Sequence, residues 1–523
     1  MKKSNRREFL KSASAVAAGV SVAQLVPQLT ANENGDVAET DNGLSELVKK
    51  DRARNIVLPK NDGHWKPVAG YADEPLEGDY VHASEAAHEA FRDVKFSIRI
   101  HWGVYSMWEI EASLPFLWSM SKEKKAEYCE LYKTFNPTDF DAQEWMDFFK
   151  RSGIQAFAFT TKHHDGFSMF HTKTRVKRRI NYLAEQPIEP CDLLYSIEES
   201  PFKRDIVKEL CDAAHKNGIK IDLYYSHPDS YDADFRPYCG HPAAIPDEKL
   251  HPKDYPSWGK HSVTAPDPTP EEQNAMMTRH REQLRELLTN YGKIDMVCLD
   301  MWLGKPVWEE TKKTVKMMRQ LQPDVMIRAR GIGNYGDYYQ PEEFVPKGKE
   351  NTNMPWMSIC LLGKIFAYDP VAKNYKGTAW IISHLVDCVA KGGSFMVCIG
   401  PDANGKFHPE AVKQIEAVGD WLKVNGKGIY ETRSRDIWQE GGLKFTRSKD
   451  QKNVYAFVEK FPEGELIVKS VTPKPNSVIR LFGYKKPLPW ASINGGIKIT
   501  IPQELQDPTN RPCEFAWGFE FEV

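Results

Sequence analysis

The 523-residue sequence predicts an α/β protein, a (β/α)8-like barrel followed by a C-terminal antiparallel β-sandwich. From about residue 85 to 430, short apolar runs alternate with amphipathic helical segments, which is typical of parallel strands joined by helical crossovers. So many units in one region favour a closed barrel over an open sheet. From residue 431 to 523, short β-prone runs are separated by turn residues, which is typical of a sandwich.

The first 31 residues have the features of a twin-arginine signal peptide. The segment from Asn5 to Lys11, with Arg6 and Arg7, resembles the twin-arginine motif, and an Ala-rich apolar stretch follows it. That stretch is too short for a spanning helix, so we expect no membrane anchor. We predict a bacterial protein that is periplasmic or secreted. Residues 32–84 are polar and aperiodic, and we interpret them as a linker and wrapping segment.

Within residues 85–430, the predicted strands end in polar residues. The strands are predicted over 96–100, 154–159, 219–223, 294–300, 325–330, 356–362 and 395–399, and the helices over 141–152, 203–217, 271–291, 308–322, 380–391 and 410–425. Residues 228–268 are predicted to form a long excursion over the site. The site of such a barrel lies at the C-terminal strand ends, where this chain has polar side chains: His101, His163, His164, Tyr225, Asp300 and Arg330.

The stretch IQAFAFTTKHHDGF, residues 154–167, is the point around which this pattern is organised. Its apolar start predicts a buried strand, and its polar end predicts a site. In an extended chain, adjacent side chains face opposite sides. We therefore expect one of His163 and His164 to face a cavity while the other braces it.

Composition excludes several partners. The formal net charge of -2 gives no electrostatic basis for binding nucleic acid or an anionic membrane.

The nine cysteines show no CxxC or zinc-ligand spacing, and we expect few or no disulfides. With no phosphate-binding glycine loop and no metal motif, the sequence predicts no cofactor and no metal. The oligomeric state stays open.

A site with carboxylates, histidines and aromatics but no cofactor suggests glycoside hydrolysis by two carboxyl groups. Asp300, at a strand end between Leu299 and Met301, suits the nucleophile. Glu342 and Glu343 are candidates for the second group. Taken alone, these two also fit solvated loop carboxylates.

The chain resembles the α-L-fucosidases of glycoside hydrolase family 29. The matching segments run in family order from about residue 90 to 435, and His101-Trp102-Gly103 together with His163–Phe167 is the most specific combination. The other matching segments lie at 135–145, 203–207, 223–226, 300–301, 391–393, 399–401, 425–426 and 429–430. The resemblance implies an exo-acting retaining hydrolase that releases α-L-fucose, or a closely related sugar that includes sulfated forms, from an oligosaccharide or polysaccharide through a covalent glycosyl-enzyme intermediate.

The resemblance also implies roles for individual residues. It implies Asp300 as nucleophile and Glu342 as acid/base, with Glu343 in reserve. The residues implied to bind the sugar are His101, Trp118, His163, His164, Tyr225 and Arg330.

Four positions depart from the family pattern. A glycine-containing lead-in is replaced by Phe96–Arg99, a glutamate by Leu117, an Asn-Asp pair by Arg328-Ala329, and a Trp-Glu pair by Trp356-Met357. The lost polar contacts put strict fucose specificity in question.

Three alternatives stay open at the level of sequence. The histidines and Asp165 could ligate zinc in a metal-dependent hydrolase, and the altered recognition residues fit a catalytically silent glycan-binding protein. The basic run from Arg175 to Arg179 is interpreted as a solvated charged loop, and alternatively as a contact for a sulfated or other anionic glycan.

Overall fold

The computed structural model describes residues 57–59, 72–236, 241–244, 263–348 and 352–523. The predicted signal peptide, most of the predicted linker and much of the predicted excursion lie outside these residues. In chain order, the strands are β1 Phe96–Ile100, β2 Ala156–Lys162, β3 Val176–Ile180, β4 Ile188–Leu193, β5 Lys220–Ser226, β6 Ala243–Ala244, β7 Val263–Thr264, β8 Met296–Asp300, β9 Met326–Ile327, β10 Met357–Leu361, β11 Ser394–Ile399, β12 Thr432–Glu440, β13 Leu443–Ser448, β14 Asn453–Val458, β15 Glu465–Val468, β16 Arg480–Leu481, β17 Trp490–Ile493, β18 Gly496–Thr500 and β19 Trp517–Glu522. The α-helices are α1 Glu85–Asp93, α2 Leu114–Trp118, α3 Lys122–Tyr128, α4 Ala142–Arg151, α5 Ile206–Asn217, α6 Pro270–Thr289, α7 Trp308–Leu321, α8 Thr378–Ala390 and α9 Pro409–Asn425.

Seven parallel strands form the main sheet, a half-barrel in the order β10-β11-β1-β2-β5-β8-β9. An irregular segment, residues 338–342, lies between the two edge strands. It is bridged on one side at Arg328–Tyr338 and on the other at Tyr339–Trp356 and Glu342–Ile359. This segment takes the place of an eighth strand, and the (β/α)8-like fold class predicted from the sequence is confirmed.

The side chains of the barrel strands alternate between two cores, as strand geometry requires. One set faces the helices: Ile98, Phe157, Leu223 and Val297 pack in the same cluster as Leu210 and Leu284. The other set faces the barrel interior, where Ala158, Met296, Met357 and Met396 form a separate cluster. Residues at every second position beyond these, toward the C-terminal end of each strand, therefore point into the mouth of the barrel.

Local sequence explains where the helices begin. Asp141 accepts hydrogen bonds from the backbone N–H groups of Gln143 and Glu144, so α4 starts one residue later than predicted. The helix predicted from residue 203 begins only at Ile206, because Asp205 caps it and Lys203 has a left-handed φ of 58°. Thr269 forms a capping box at the start of α6.

Two further predicted elements differ from the structure. The strand expected over 325–330 is regular only at Met326–Ile327, because Arg328 and the following residues pair with the irregular eighth segment. The basic run expected in a loop forms β3, which pairs antiparallel with β4.

The C-terminal domain consists of a five-stranded sheet, β12-β13-β14-β19-β16, and a three-stranded sheet, β15-β18-β17, both antiparallel. Phe445, Val468, Ile499 and Phe519 share a core of their own, as expected for the predicted sandwich. The domain is fixed to the barrel at several points. The Trp421 Nε1–H donates to the Ala516 carbonyl at 2.7 Å, and Arg433 pairs with Glu89 and Asp93.

Among the described helices, none combines the length and the apolar character that crossing a membrane requires. The eight cysteines in the described part of the chain are all free thiols, and Cys239 lies outside that part.

Candidate active site

The barrel mouth carries a cluster of polar side chains that strand alternation aims inward. Asp300 is the last residue of β8, and Ser226, the last residue of β5, lies level with it. His101 follows β1, Arg330 follows β9, and Glu342 lies on the eighth segment. Met301, directly after Asp300, adopts a left-handed φ of 61°, which ends the strand at the carboxylate.

Four side chains surround the Asp300 carboxylate, which is buried. The Tyr224 hydroxyl donates to Oδ2, and Arg330 Nη1 donates to Oδ1. His164 Nε2 lies 3.3 Å from Oδ2, and Arg328 Nη1 lies 3.5 Å from Oδ1. Burial alone would raise the pKa of Asp300, but Arg330, His164 and Arg328 together hold it well below its usual range. The carboxylate is therefore ionised and oriented, as a nucleophile must be.

Arg330 links this carboxylate to the second one. The same Nη1 atom that contacts Asp300 donates to Glu342 Oε2 at 2.9 Å. Two oxygens held by one nitrogen can be no further apart than two hydrogen bonds, roughly 6 Å. Retaining glycosidases place their two carboxyl groups about 5–5.5 Å apart, whereas inverting enzymes need more room for water.

Three histidines, His101, His163 and His164, line the site beside Asp300. The His101 ring makes edge contacts with His163 at 5.4 Å and with Tyr224 at 5.2 Å, and His163 stacks on Tyr224 at 5.7 Å. The Ser113 hydroxyl lies 2.5 Å from His163 Nδ1. Burial lowers the pKa of His101 to about 3, and burial and His164 hold the pKa of His163 well below its usual value. Both rings are neutral and can donate and accept hydrogen bonds.

The expectation that His163 and His164 face opposite sides is wrong. Their ring centroids are only 4.4 Å apart, and both rings border the site. Strand β2 ends at Lys162, and its register with β5 shifts between Thr160 and Lys162. Strict alternation no longer applies beyond that shift.

Tyr225 is placed outside the site, contrary to the sequence-based expectation. Its hydroxyl donates to Gln283 Oε1 of α6 at 2.8 Å, on the helical side of the barrel wall. Tyr224 is the residue that faces Asp300 and the histidines. Counting by twos from Ser226, which is level with Asp300, would have identified Tyr224.

Glu342 and Glu343 also face different partners. The Glu343 carboxylate accepts the backbone N–H of Leu361 at 2.6 Å and is exposed, and its backbone φ is 64°. Only Glu342 contacts Arg330. The predicted ligand Trp118 ends α2, but its side chain lies outside the described residues.

A second buried charged cluster lies behind the histidines. Asp165 accepts from the Tyr128 hydroxyl at 2.5 Å, and burial raises the pKa of Asp165 to about 7. Lys162 Nζ lies 3.8 Å from Asp229 Oδ2, and Arg279 donates to that carboxylate at 2.5 Å. The cluster adjoins the segment that carries His163 and His164: Ser230, which follows Asp229, donates its backbone N–H to the His164 carbonyl at 2.8 Å.

The basic run on β3 is internally paired. Arg175 and Lys177 both contact Asp192, at 2.6 and 2.5 Å. Arg178 contacts Asp234 at 2.7 Å, and Arg179 contacts Glu189 at 2.6 Å. Each basic side chain of the run thus has an acidic partner within the chain.

The described residues contain no group of three or more His, Cys, Asp or Glu side chains placed to hold a metal ion. The side chains gathered at the barrel mouth are two carboxylates, two arginines, a tyrosine and three histidines. It offers one ionised carboxylate for attack and a second carboxyl group for proton transfer.

Two family models and several known proteins are similar to this chain. The family model described as "Alpha-L-fucosidase" matches residues 77–427, and the model described as "Alpha-L-fucosidase C-terminal domain" matches residues 431–522. The human plasma alpha-L-fucosidase is 28% identical over 469 residues, covering 82% of this chain and 88% of its own.

Solved structures share the fold. Alpha-L-fucosidase isoenzyme 1 from Paenibacillus thiaminolyticus superposes with a TM-score of 0.67 at 24% identity, covering 84% of this chain and 99% of its own. A family 29 alpha-L-fucosidase from Bacteroides thetaiotaomicron, trapped as a covalent intermediate with 2-fluoro-fucosyl fluoride, has a TM-score of 0.66 at 23% identity, covering 86% and 98%. With the family model spanning most of the barrel, the chain belongs to the α-L-fucosidase family.

Proposed function

We propose that this protein is a retaining α-L-fucosidase in which Asp300 is the nucleophile and Glu342 is the acid/base. The observation that carries the proposal is the single Arg330 nitrogen that holds one oxygen of each carboxylate. It keeps the two groups close enough to act on one sugar ring from either side.

In the first step, an Asp300 oxygen forms a bond to the anomeric carbon while the bond to the leaving oxygen breaks. The proton of the Glu342 carboxylic acid passes to that leaving oxygen. In the second step, Glu342 takes a proton from water, the water oxygen bonds to the anomeric carbon, and the ester bond to Asp300 breaks. Asp300 and Glu342 then return to their starting states, and the anomeric configuration is retained.

The surrounding groups suit the charge changes of this cycle. Asp300 must be ionised before attack, and Arg330, His164 and Tyr224 all favour its charged form. Once the ester forms, Asp300 carries no charge, and of the two carboxyl groups Glu342 is the one that pairs with Arg330 as an anion. That interaction favours ionised Glu342, which is the form needed to accept a proton from water.

The neutral rings of His101 and His163 suit the recognition of sugar hydroxyls. His101 and His163 can each pair with a hydroxyl group as donor or acceptor. The Phe366 ring lies 5.2 Å from His101 and offers an apolar surface for the methyl group of a deoxy sugar. Fucose combines both features. The trapped relative from Bacteroides thetaiotaomicron supports the covalent step by analogy.

The decisive experiment is to trap the glycosyl-enzyme. Wild-type protein incubated with 2-fluoro-fucosyl fluoride should gain the mass of one sugar, and proteolysis should locate it on the peptide that contains Asp300. Asp300→Gly should gain no mass and should lose turnover of aryl α-L-fucosides, with restoration by azide as an α-to-β inverted product. A label on another carboxylate would overturn the assignment. Binding of fucosylated glycans without turnover by wild-type protein would instead support the silent glycan-binding alternative.

We further propose that the protein is exported through the twin-arginine route to the periplasm or beyond. The support is the sequence around Arg6 and Arg7 and the apolar stretch after it. Replacement of both arginines by lysine should leave the protein in the cytoplasm of a bacterial host, and unchanged export would contradict the proposal.

A further inference from the structure

Two buried arginines lie one layer below the carboxylate pair. Arg99 precedes His101 by two residues, and Arg328 precedes Arg330 by two residues, so both point into the barrel beneath the site. Their relative exposures are 2% and 1%. Both stand at positions where this sequence departs from the pattern of the family it resembles, and the structure brings the two departures together.

One residue of the eighth segment connects the two arginines. Arg99 Nη2 donates to Gln340 Oε1 at 2.5 Å, and Arg328 Nη2 lies 3.4 Å from the Gln340 carbonyl. Both guanidinium groups also approach the Cys298 sulfur, at 2.9 and 3.4 Å. The Arg99 guanidinium lies 5.3 Å from the centre of the Tyr224 ring, whose hydroxyl holds Asp300. Arg99 therefore supports the layer that orients Arg328 and Tyr224.

Arg328 reaches both catalytic carboxylates with separate atoms. Its Nη1 lies 3.5 Å from Asp300 Oδ1, and its Nη2 lies 3.6 Å from Glu342 Oε2. Arg330 contacts the same two oxygens with a single nitrogen from above. A planar guanidinium with two nitrogens in a rigid fork fixes the separation of two anions in a way that a lysine ammonium cannot.

Stability does not explain this layer. Barrel interiors of this kind are usually filled by branched aliphatic side chains, and replacing buried charges by apolar groups is often neutral or stabilising. Here two like-charged groups are buried side by side. The nearby Asp222 only partly compensates them, since burial raises the pKa of its carboxyl to about 6 even though Arg99 and Arg328 lower it. A reason other than folding is therefore needed.

We propose that Arg328, supported by Arg99 through Gln340, is a positioning residue. It holds the carboxyl groups of Asp300 and Glu342 at a fixed separation, and it keeps Glu342 deprotonated once the glycosyl ester has formed. The inference rests on the proposed roles of these two carboxylates. Before ester formation, both arginines contact the ionised Asp300 and the carboxyl group of Glu342. After it, Glu342 has given up its proton and is the anionic member of the pair that both arginines contact, so the acid of the first step becomes the base of the second.

The other described groups near Glu342 do not supply the positive charge that would keep it deprotonated. Asp300 loses its charge in the ester, the neutral His101 faces both carboxylates, and the thiols of Cys360 and Cys398 stay protonated because burial raises their pKa. Glu343 is turned toward Leu361. Within the described residues, the positive charge that contacts Glu342 belongs to Arg330 and Arg328.

The test compares Arg328→Met with wild type, using Arg433→Met as the control. Arg433 also joins two carboxylates, Glu89 and Asp93, but lies at the junction of the two domains. Loss of Arg328 should slow the second step most, so the ester should accumulate. We expect kcat and KM for a reactive aryl α-L-fucoside to fall together, on the order of 10–100-fold, with a smaller change in kcat/KM. Mass spectrometry of acid-quenched steady-state samples should show more labelled Asp300 peptide than in wild type.

The pH profile is the second readout. The acidic limb of kcat should move to higher pH in Arg328→Met and stay in place in Arg433→Met. The proposal would be overturned if Arg328→Met lowered kcat and kcat/KM equally, left the acidic limb of the kcat profile in place and accumulated no ester. If Arg328→Met does not fold, Arg328→Lys and Arg99→Met should show the same separation of kcat from kcat/KM in weaker form. An inactive, unlabelled wild-type protein would contradict the proposed function instead.

Discussion

Tyr224 and Tyr225 are neighbours in strand β5, but their hydroxyl groups lie on opposite sides of the barrel wall. The Tyr224 hydroxyl donates to Asp300, and the Tyr225 hydroxyl donates to Gln283 of α6 at 2.8 Å. Alternation along the strand explains the difference. The pair therefore offers a matched test in which one residue contacts the proposed nucleophile and the other supports packing.

Tyr224→Phe removes one donor from the ionised form of Asp300. A hydrogen bond to a charged group is worth about 1.5–3 kcal/mol, so the proton affinity of Asp300 should rise. We expect the acidic limb of kcat/KM to move up by about one pH unit, with kcat falling on the order of tenfold. Initial rates with an aryl α-L-fucoside provide the measurement, from about pH 2 to pH 8 because the pKa of Asp300 lies well below its usual range.

Tyr225→Phe serves as the control. It loses a neutral hydrogen bond to Gln283, which costs about 1 kcal/mol of the free energy of unfolding, and it leaves the donor to Asp300 in place. Its pH profile should match that of wild type. A shifted limb in Tyr225→Phe but not in Tyr224→Phe would reverse the assignment.

The two adjacent glutamates allow a second matched test. Glu342→Ala removes the group that contacts Arg330, so hydrolysis of substrates with poor leaving groups should slow by roughly 10²–10⁴-fold. Substrates with good leaving groups need no proton for the first step and should suffer less. Azide should restore turnover in this variant, because it replaces water without needing a base.

Glu343→Ala should behave differently. Its carboxylate accepts a backbone hydrogen bond from Leu361, so the variant should lose stability rather than chemistry. We expect its turnover to stay within a few-fold of wild type. If azide rescued Glu343→Ala and not Glu342→Ala, the acid/base would be Glu343.

The basic hairpin should not contribute to recognition of anionic glycans. Arg175 and Lys177 are already paired with Asp192. Substitution of both by Ala should therefore leave unchanged the ratio of kcat/KM for sulfated and unsulfated fucosides. A tenfold change in that ratio would assign the hairpin to the substrate. Arg178→Ala is a useful contrast: it leaves the buried Asp234 carboxylate without its 2.7 Å partner, so it should lower Tm.

Much of the fold and part of the site follow from sequence alone. Alternating apolar runs and helical segments predict the barrel, and polar strand ends identify His101, Asp300 and Arg330 at its mouth. These predictions succeed because they depend on the average pattern of each element. They tolerate an error of one or two residues at its ends.

Predicting which face of a strand a side chain lies on does not tolerate such errors. A shift of one residue turns the side chain to the other face. Choosing Tyr225 instead of Tyr224 is an error of this kind. His163 and His164 depend on a register shift at the end of β2, which no local pattern reveals. Arg99 and Arg328 were missed as site-supporting groups for another reason: arginine is almost never fully buried unless it is paired, and their partners come from distant strands.

Asp165, in the His-His-Asp-Gly loop, should make stability depend on pH. Burial raises the pKa of its carboxyl from 3.8 to about 7, and the hydrogen bonds from Tyr128 and the Phe167 N–H offset this only in part. The folded protein therefore keeps a proton on Asp165 at pH values where the unfolded chain has lost it. This contribution is fully present below about pH 4 and is lost as pH rises to about 7.

Asp165→Asn has a neutral side chain of the same shape and lacks this titration. Between about pH 4 and pH 7, wild type should lose stability relative to the variant, by at most about 4 kcal/mol, and the difference should be constant above pH 7. Unfolding by urea at several pH values, or Tm where unfolding is irreversible, measures it. Titration of groups that do not interact with Asp165 is common to both proteins and cancels in the difference. A difference that does not vary with pH would mean that Asp165 is ionised in the folded protein. The loop that carries His163 and His164 would then rest on a buried charge pair rather than on a neutral acid.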